Sequence, residues 1–251
     1  MNPLGIGAIL FLCMLGGALG GMRAREFLPQ HHMTKETEDV VRLTAGTLAT
    51  LTALTVGLLI ASAKSSFDTK STELTRSAAD LVMVDRQLSH YGPETKQARD
   101  LLRRYTVSKI DATWPQETSH PVAHADSWRL FEELQDELRA LTPVNDPQRW
   151  LQARALQVTG DLAQTRWLLD VQKGSSVSTP FLLMLIFWLI IIFASFGLFA
   201  PRNATAVVSL VVCSLSITGA IFLILDMDQP YEGLIYFSSA PMREALAQLG
   251  R

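Results

Sequence analysis

The sequence predicts an all-helical membrane protein with four membrane-spanning helices and a helical domain inserted between the second and the third. Three observations predict it. Of 251 residues, 48% are hydrophobic and only 18% charged, and the mean hydropathy of +0.20 is high for a soluble domain. The apolar residues gather in four stretches, each close to the roughly 20 residues that cross a hydrocarbon core of about 30 Å. Between the second and third stretches lies a polar segment of about 115 residues, the size of one domain, whose apolar positions recur at helical spacing without strand-like alternation.

The first span runs from Pro3 to about Met22. Ala18 and Gly20 offer small residues at a cleavage-like spacing, yet no basic residue precedes the stretch as it does in secretory signals, so an uncleaved anchor is expected. Gly16 with Gly20 and Gly17 with Gly21 form two overlapping small-xxx-small patterns. They read either as the close approach of a neighbouring helix or as chance glycine in an apolar run. The two cysteines, Cys13 and Cys213, both lie in apolar runs and read as small buried hydrophobes, which excludes a disulfide scaffold and a thiolate metal site.

The second span, about Leu43 to Ala63, carries Thr44, Thr47, Thr50, Thr52 and Thr55, an unusual polar load for a lipid-facing helix. At about 100° per residue, Thr44, Thr47, Leu51, Thr55, Leu58 and Ser62 share one stripe. Arg42 and Lys64 stand at its two ends, with Asp68 beyond. Several copies around an axis would make this stripe a pore wall of hydroxyls with leucine constrictions. The alternative is that each threonine bonds back to its own i−4 carbonyl or packs in a helix interface.

Phe67, Leu74, Ala78, Leu81 and Leu88 carry the helical period out of the second span without a break, to Gly92 and Pro93. Asp85 continues that apolar row, and Arg103 or Arg104 on the next helix are its expected partners. The next helix is predicted from about Glu94 to Thr113, with Ala98, Leu101, Leu102, Tyr105 and Ile110 on its buried face. A loop from Gln116 to Ala125 precedes a helix capped by Asp126, with Trp128, Phe131, Leu134, Leu138 and Leu141 facing inward. Pro143 stops it. Asn145 or Asp146 then caps a helix with Pro147 in its first turn, continuing through Leu151, Ala155, Val158, Leu162 and Leu169.

The third and fourth spans, Phe181 to Ala200 and Ala204 to Leu225, hold no charged residue and are separated only by Pro201, Arg202 and Asn203, which requires a tight antiparallel hairpin. Asp226 and Asp228 follow at the membrane boundary. Acid there opposes the helix dipole, so cationic or hydrogen-bonding partners are expected. Ser239 is positioned to cap a short terminal helix carrying Met242, Leu246 and Leu249, able to dock on the middle domain. The resulting division is 1–63 for the first two spans, 64–176 for the helical domain, 177–225 for the hairpin and 226–251 for the tail.

Lys+Arg 22 against Asp+Glu 24 leaves a net charge of −2, which provides no basic field for nucleic acid. No phosphate loop, nucleophile elbow, HExxH helix or dinucleotide fingerprint occurs, so neither an enzyme nor a cofactor is expected. Adjacent His31 and His32 do not point at one metal, and His120 and His124 read as solvated loop residues. Glu132, Glu133, Asp136 and Glu137 lie opposite the apolar face of their helix and read as solvated. Counted by side, the basic residues are Lys64, Lys70, Arg76, Arg166, Lys173 and Arg243 against Arg23, Arg25, Lys35, Arg42 and Arg202. Weighted towards short loops, that distribution leans towards a middle domain outside.

Three stretches together resemble the bacterial bestrophin-like membrane family: GLLIASAKSSFD leaving the second span, LVMVDRQLSHYGPETKQARDLLRRY in the middle domain, and LDMDQPYEGLIYFSSAPMREAL after the fourth span. The resemblance runs from about Val56 to Leu249. It implies four membrane helices with the helical domain between the second and third. Bestrophins proper are pentameric ion channels with the second span around the pore and the helical domain in the cytosol. By position, the resemblance places Thr44 to Ser62 beside the pore and makes Asp226 and Asp228 a boundary cluster. Where a bestrophin pore neck has aromatic residues, this sequence has Leu51 and Leu58. The function so implied is a homo-oligomeric ion channel of a bacterial inner membrane, with the lipid bilayer and inorganic ions as partners and the middle domain cytoplasmic. Rings of Arg42 or Lys64 would favour anions and rings of Asp68 cations. The alternative is a non-conducting scaffold or sensor whose helical domain binds a partner.

Overall fold

The structure is a computed structural model that describes residues 3–29, 34–115, 124–171, 179–201, 203–228 and 233–250. The described residues form eight α-helices and no strand: α1 (Pro3–Phe27), α2 (Lys35–Tyr91), α3 (Lys96–Thr113), α4 (His124–Ala140), α5 (Asp146–Val171), α6 (Thr179–Phe199), α7 (Ala204–Met227) and α8 (Ala240–Gln248). Helices α1, α2, α6 and α7 are each long and apolar enough to cross a membrane. The all-helical, four-span architecture is therefore the one expected. The chain divides into two compact units, Met1–Phe67 with Ser175–Ile235, and Asp68–Gly174 with Tyr236–Arg251.

In the first unit α1 packs against α6 and α7. Leu10, Met14 and Ala18 meet Leu185, Leu189 and Phe193 of α6 and Ile221 and Leu225 of α7, with Val56 and Leu59 of α2 at the margin. Lipid tails are as apolar as these side chains, so the helices gain by close packing rather than by leaving water. The two overlapping glycine patterns separate here. Gly17 and Gly21 lie against α6, where a Cβ on Gly21 would overlap the Ala194 carbonyl oxygen and sit 2.9 Å from the Leu198 nitrogen. Gly197 repeats the arrangement from the other side against Ala18. A methyl added at Gly16 or Gly20 would meet nothing within 4 Å, and neither residue takes part in the contact. At the start of α7, Asn203 is the cap, its Oδ1 accepting from the Ala206 N–H at 2.8 Å.

The second unit is built on Leu81, Val84 and Leu88 of α2, Leu101, Leu102 and Tyr105 of α3, Phe131, Leu134 and Leu138 of α4, and Ala155, Val158 and Leu162 of α5, all buried. Gly92, at φ +140°, ends α2 in a backbone region closed to most side chains, and the 3-10 turn Pro93–Thr95 leads into α3. The Thr95 hydroxyl bonds the Leu88 carbonyl at 2.6 Å and so closes the carbonyl end of α2. Helix α3 thus starts at Lys96, two residues later than its periodicity suggests. Helix α4 starts at His124, ahead of the expected cap: Asp126 falls within the first turn, because the helical backbone extends back beyond it. Asn145 caps α5, accepting from the Gln148 N–H at 2.8 Å, and Gln152 donates to the Leu138 and Leu141 carbonyls at 2.9 Å, satisfying the end of α4.

Helix α8 belongs to this second unit and packs on α3. Trp114, buried at the end of α3, donates its indole N–H to the Phe237 carbonyl at 2.9 Å. Ser239 occupies the cap position of α8, but its hydroxyl accepts from the Arg243 guanidinium at 3.0 Å and makes no capping bond. The stronger charge-assisted donor takes the oxygen. Arg166 lies over the Trp128 ring at 4.0 Å and donates to the Ser127 hydroxyl at 2.8 Å.

Among the described residues of this unit, Asp80 of α2 has a carboxyl shifted by its surroundings. Burial pushes its pKa up, Asp161 adds to the rise, and Arg76 and Arg154 oppose it. A carboxyl whose folded pKa is raised binds its proton more tightly folded than unfolded, so its contribution to stability falls as pH rises through the carboxylate range. Asp80→Asn should therefore melt slightly above wild type at neutral pH, with the gap closing as pH falls. Melting both proteins from pH 7 to pH 4 checks this, and a gap that widens on acidification would refute it.

Candidate functional site

Helix α2 places the hydroxyl and leucine stripe on one side of a continuous helix. Thr44, Thr47, Leu51, Leu58 and Ser62 are exposed and Thr55 half-buried. The side of α2 that packs within the protein is elsewhere: Ala45, Thr52 and Ala63 are buried, with Val56 and Leu59 against the α1, α6 and α7 core. At about 100° per residue that packed side lies roughly 110° around the helix from the stripe. Of the four membrane-crossing helices, α2 is the least buried within the protein. The stripe is thus a surface that a single copy leaves uncovered.

The threonine hydroxyls share one hydrogen-bond pattern. Thr47, Thr50, Thr52 and Thr55 each donate to the carbonyl four residues back, at 3.0, 3.0, 2.8 and 2.9 Å, and Thr44 bonds both Val40 and Val41 at 3.0 Å. This is the back-bonding alternative raised by the sequence, and it coexists with exposure of the stripe. With the hydrogens committed to the helix, the outward-facing feature of each hydroxyl is an acceptor lone pair.

The charges flanking the stripe in sequence do not share its side. Arg42 and Lys64 fall on the opposite side of the helix, and Asp68 about a quarter-turn away, at the same 100° per residue. Arg42 is ion-paired with Glu38 one turn earlier, and the Lys64 ammonium sits 5.8 Å from the centre of the Phe67 ring. Asp68 is exposed.

At the far end of α7, Asp226 is 2% exposed and its carboxylate receives two backbone N–H groups, Leu234 at 3.1 Å and Ile235 at 2.9 Å. These are the hydrogen-bonding partners that an acid at a helix C-terminus requires. Gly233 makes the approach possible, since a Cβ there would lie 2.6 Å from Asp226 Oδ1. Asp228 closes α7, its own N–H bonding the Asp226 carbonyl.

Asp85 pairs with Arg99, not with Arg103 or Arg104. Arg99 Nε meets Oδ1 at 2.8 Å and Nη2 meets Oδ2 at 3.0 Å, a two-pronged contact, and the Gly250 N–H adds a third bond at 3.2 Å. Arg103 and Arg104 fall on the solvated side of α3, one and two helical steps round from the buried row, and both are exposed. The Asp85 carboxylate, through its hydrogen bonds, raises the pKa of Arg99 further above its ordinary value.

The remaining candidates are plain. Glu132, Glu133 and Asp136 are exposed on α4, and Glu137 accepts from Gln97 at 2.8 Å. Among the described residues no cluster of His, Cys, Asp or Glu has the arrangement of a metal site. His31, His32, His120 and Arg202 lie outside the described residues, as does the side chain of His124. Sequence reasoning expected hydrogen-bonding or cationic partners for Asp226 without identifying them as backbone amides, and it missed the choice of Arg99. Gly233, seven residues after Asp226, was a signal for the first, and Arg99, fourteen after Asp85 on a helix that folds back, was one for the second.

Comparison with known proteins adds three findings. The family that matches is the Bestrophin-like domain, over residues 12–242. Among solved structures the chain is similar to a bacterial bestrophin homologue from Klebsiella pneumoniae that carries a point mutation, with a TM-score of 0.61 and 14% identity over 96% of this chain and 97% of that one. The search of curated proteins gives no match.

Proposed function

We propose that this chain, which belongs to the bestrophin-like family, is a membrane protein that assembles into an oligomeric ion channel with α2 around the shared pore. The observation that carries this reading is the stripe of Thr44, Thr47, Leu51, Thr55, Leu58 and Ser62, left uncovered by one copy and well round the helix from the side that packs. Brought together around an axis, Leu51 and Leu58 form apolar constrictions and the hydroxyls a wall that water wets. In this reading the ring is a pentamer, the membrane is a bacterial inner membrane, and residues 64–176 are cytoplasmic. The hydroxyls face the pore with lone pairs, an acceptor surface that suits cations better than anions. Arg42 and Lys64 lie on the far side of α2 from the pore in this reading, and Asp68, exposed about a quarter-turn from the stripe, is the flanking charge nearest to permeating ions. Nothing in this reading requires a catalytic step.

A second reading is supported by the threonine bonds themselves. Because every threonine hydroxyl of the span donates to its own helix, none of them requires water, and α2 serves equally as a packing surface of a non-conducting scaffold or sensor. Flux through proteoliposomes separates the two. A channel should conduct, and Leu51→Ala or Leu58→Ala should raise its conductance severalfold by widening the constriction. Under the scaffold reading neither the wild type nor either variant passes current. A protein that native mass spectrometry finds as a monomer or dimer across mild detergents has no shared pore, and the channel reading would then be discarded.

A further inference from the structure

Past the end of α7, Leu234 and Ile235 lie with their amides against the Asp226 carboxylate, and the side chains presented outward are apolar. Leu234 is 76% exposed, Ile235 is exposed beside it, and Tyr236 next along the chain is 59% exposed. Irregular backbone with free amides is costly to place against lipid, because nothing there replaces the lost water. The amides of Leu234 and Ile235 are taken up by the buried Asp226 carboxylate, so these two groups have already met that cost. The uncovered apolar positions of α7, Val208, Val212, Leu215 and Leu223, run at helical spacing towards this same end. The hydrogen bonds to Asp226 hold exposed Leu234 at the end of this membrane-crossing helix.

We propose that Gly233–Ile235 is an interfacial membrane anchor, held in shape by Asp226, whose Leu234 side chain enters the headgroup and acyl boundary of the bilayer that α7 crosses. Gly233 is required because any side chain there would strike the carboxylate. The proposal rests on α7 as a membrane helix and is independent of whether the protein conducts.

Site-directed fluorescence tests it. In a Cys13→Ala, Cys213→Ala background, an environment-sensitive fluorophore is attached through Leu234→Cys, with Leu223→Cys as the reference within the membrane helix and Val144→Cys, 84% exposed, as the aqueous reference. The full chain is reconstituted in phosphatidylcholine vesicles opened by freeze-thaw, and quenching by a lipid spin-labelled near its headgroup is compared with quenching by iodide. At position 234 we expect lipid quenching comparable with position 223, and iodide quenching roughly threefold weaker than at position 144. Iodide quenching equal to that at position 144 would overturn the anchor. Protection from both quenchers would overturn it too, since the turn would then be covered by protein. Adding Gly233→Ala should cut the lipid quenching at position 234 while leaving position 223 unchanged; undiminished quenching would show that Asp226 does not hold the anchor.

Discussion

Gly21→Ala should destabilise the membrane unit by about 2–3 kcal/mol, the range of overpacking at a contact that cannot give. The added methyl meets backbone atoms of Ala194 and Leu198 rather than the flexible end of a side chain. Relief therefore requires α1 and α6 to separate as rigid bodies, which opens the contacts of Leu10, Met14 and Ala18 with Leu185, Leu189 and Phe193. Between helices in lipid, those contacts are most of what holds the pair. Gly16→Ala and Gly20→Ala are the matched controls. Their methyls meet nothing, and removing a helix glycine gains roughly 0.5–1 kcal/mol of backbone entropy in a soluble helix, so each should be neutral or mildly stabilising. Thermal melts of the three variants in one detergent decide the matter. Equal shifts for Gly16→Ala and Gly21→Ala would mean that α1 does not meet α6 through this face.

The second large effect is expected at Asp85. Asp85→Ala takes from the Arg99 guanidinium, whose side chain is only 22% exposed, its two-pronged acceptor and removes the acceptor of the Gly250 amide. Breaking a buried ion pair from one side costs about 3–5 kcal/mol, and the partial exposure of Arg99 brings the expectation to about 2–4 kcal/mol. Replacing both members by apolar groups of similar volume, Asp85→Leu with Arg99→Met, should recover most of that loss, because no charge is then stranded. Chemical denaturation followed through the helical domain measures all three proteins. If the double variant is no more stable than Asp85→Ala, the pair contributes through packing and not through charge. Because Gly250 shares the same carboxylate, Asp85→Ala should also speed proteolysis of the C-terminal residues.

Much of this protein was legible in its sequence, and the reason differs from element to element. The spans were clear because a membrane demands long apolar runs, and such runs serve few other purposes. The continuous α2 and the buried faces of α3 and α4 followed from a 3.6-residue period that survives whatever the helices pack against. Boundaries set by caps were less secure. Asn145 caps as its position suggests, and Asn203 caps α7 although only a tight turn was expected there, whereas Ser239 accepts from Arg243 instead of capping and Asp126 is overtaken by a helix that starts earlier. A cap is a competition between local acceptors, and its winner depends on which donors the fold brings near.

The sequence by itself determined the all-helical class, the membrane spans and the stripe on α2, because each depends on spacing along one helix. Tertiary structure alone decided which glycine pair joins α1 to α6, that Arg99 rather than its neighbours meets Asp85, that Asp226 holds two amides, and that the α2 stripe stays uncovered while its neighbouring side is packed. Those outcomes depend on which face of one helix is turned towards another. Periodicity along a chain fixes the angle between residues on the same helix, and leaves the rotation of one helix against the next to packing.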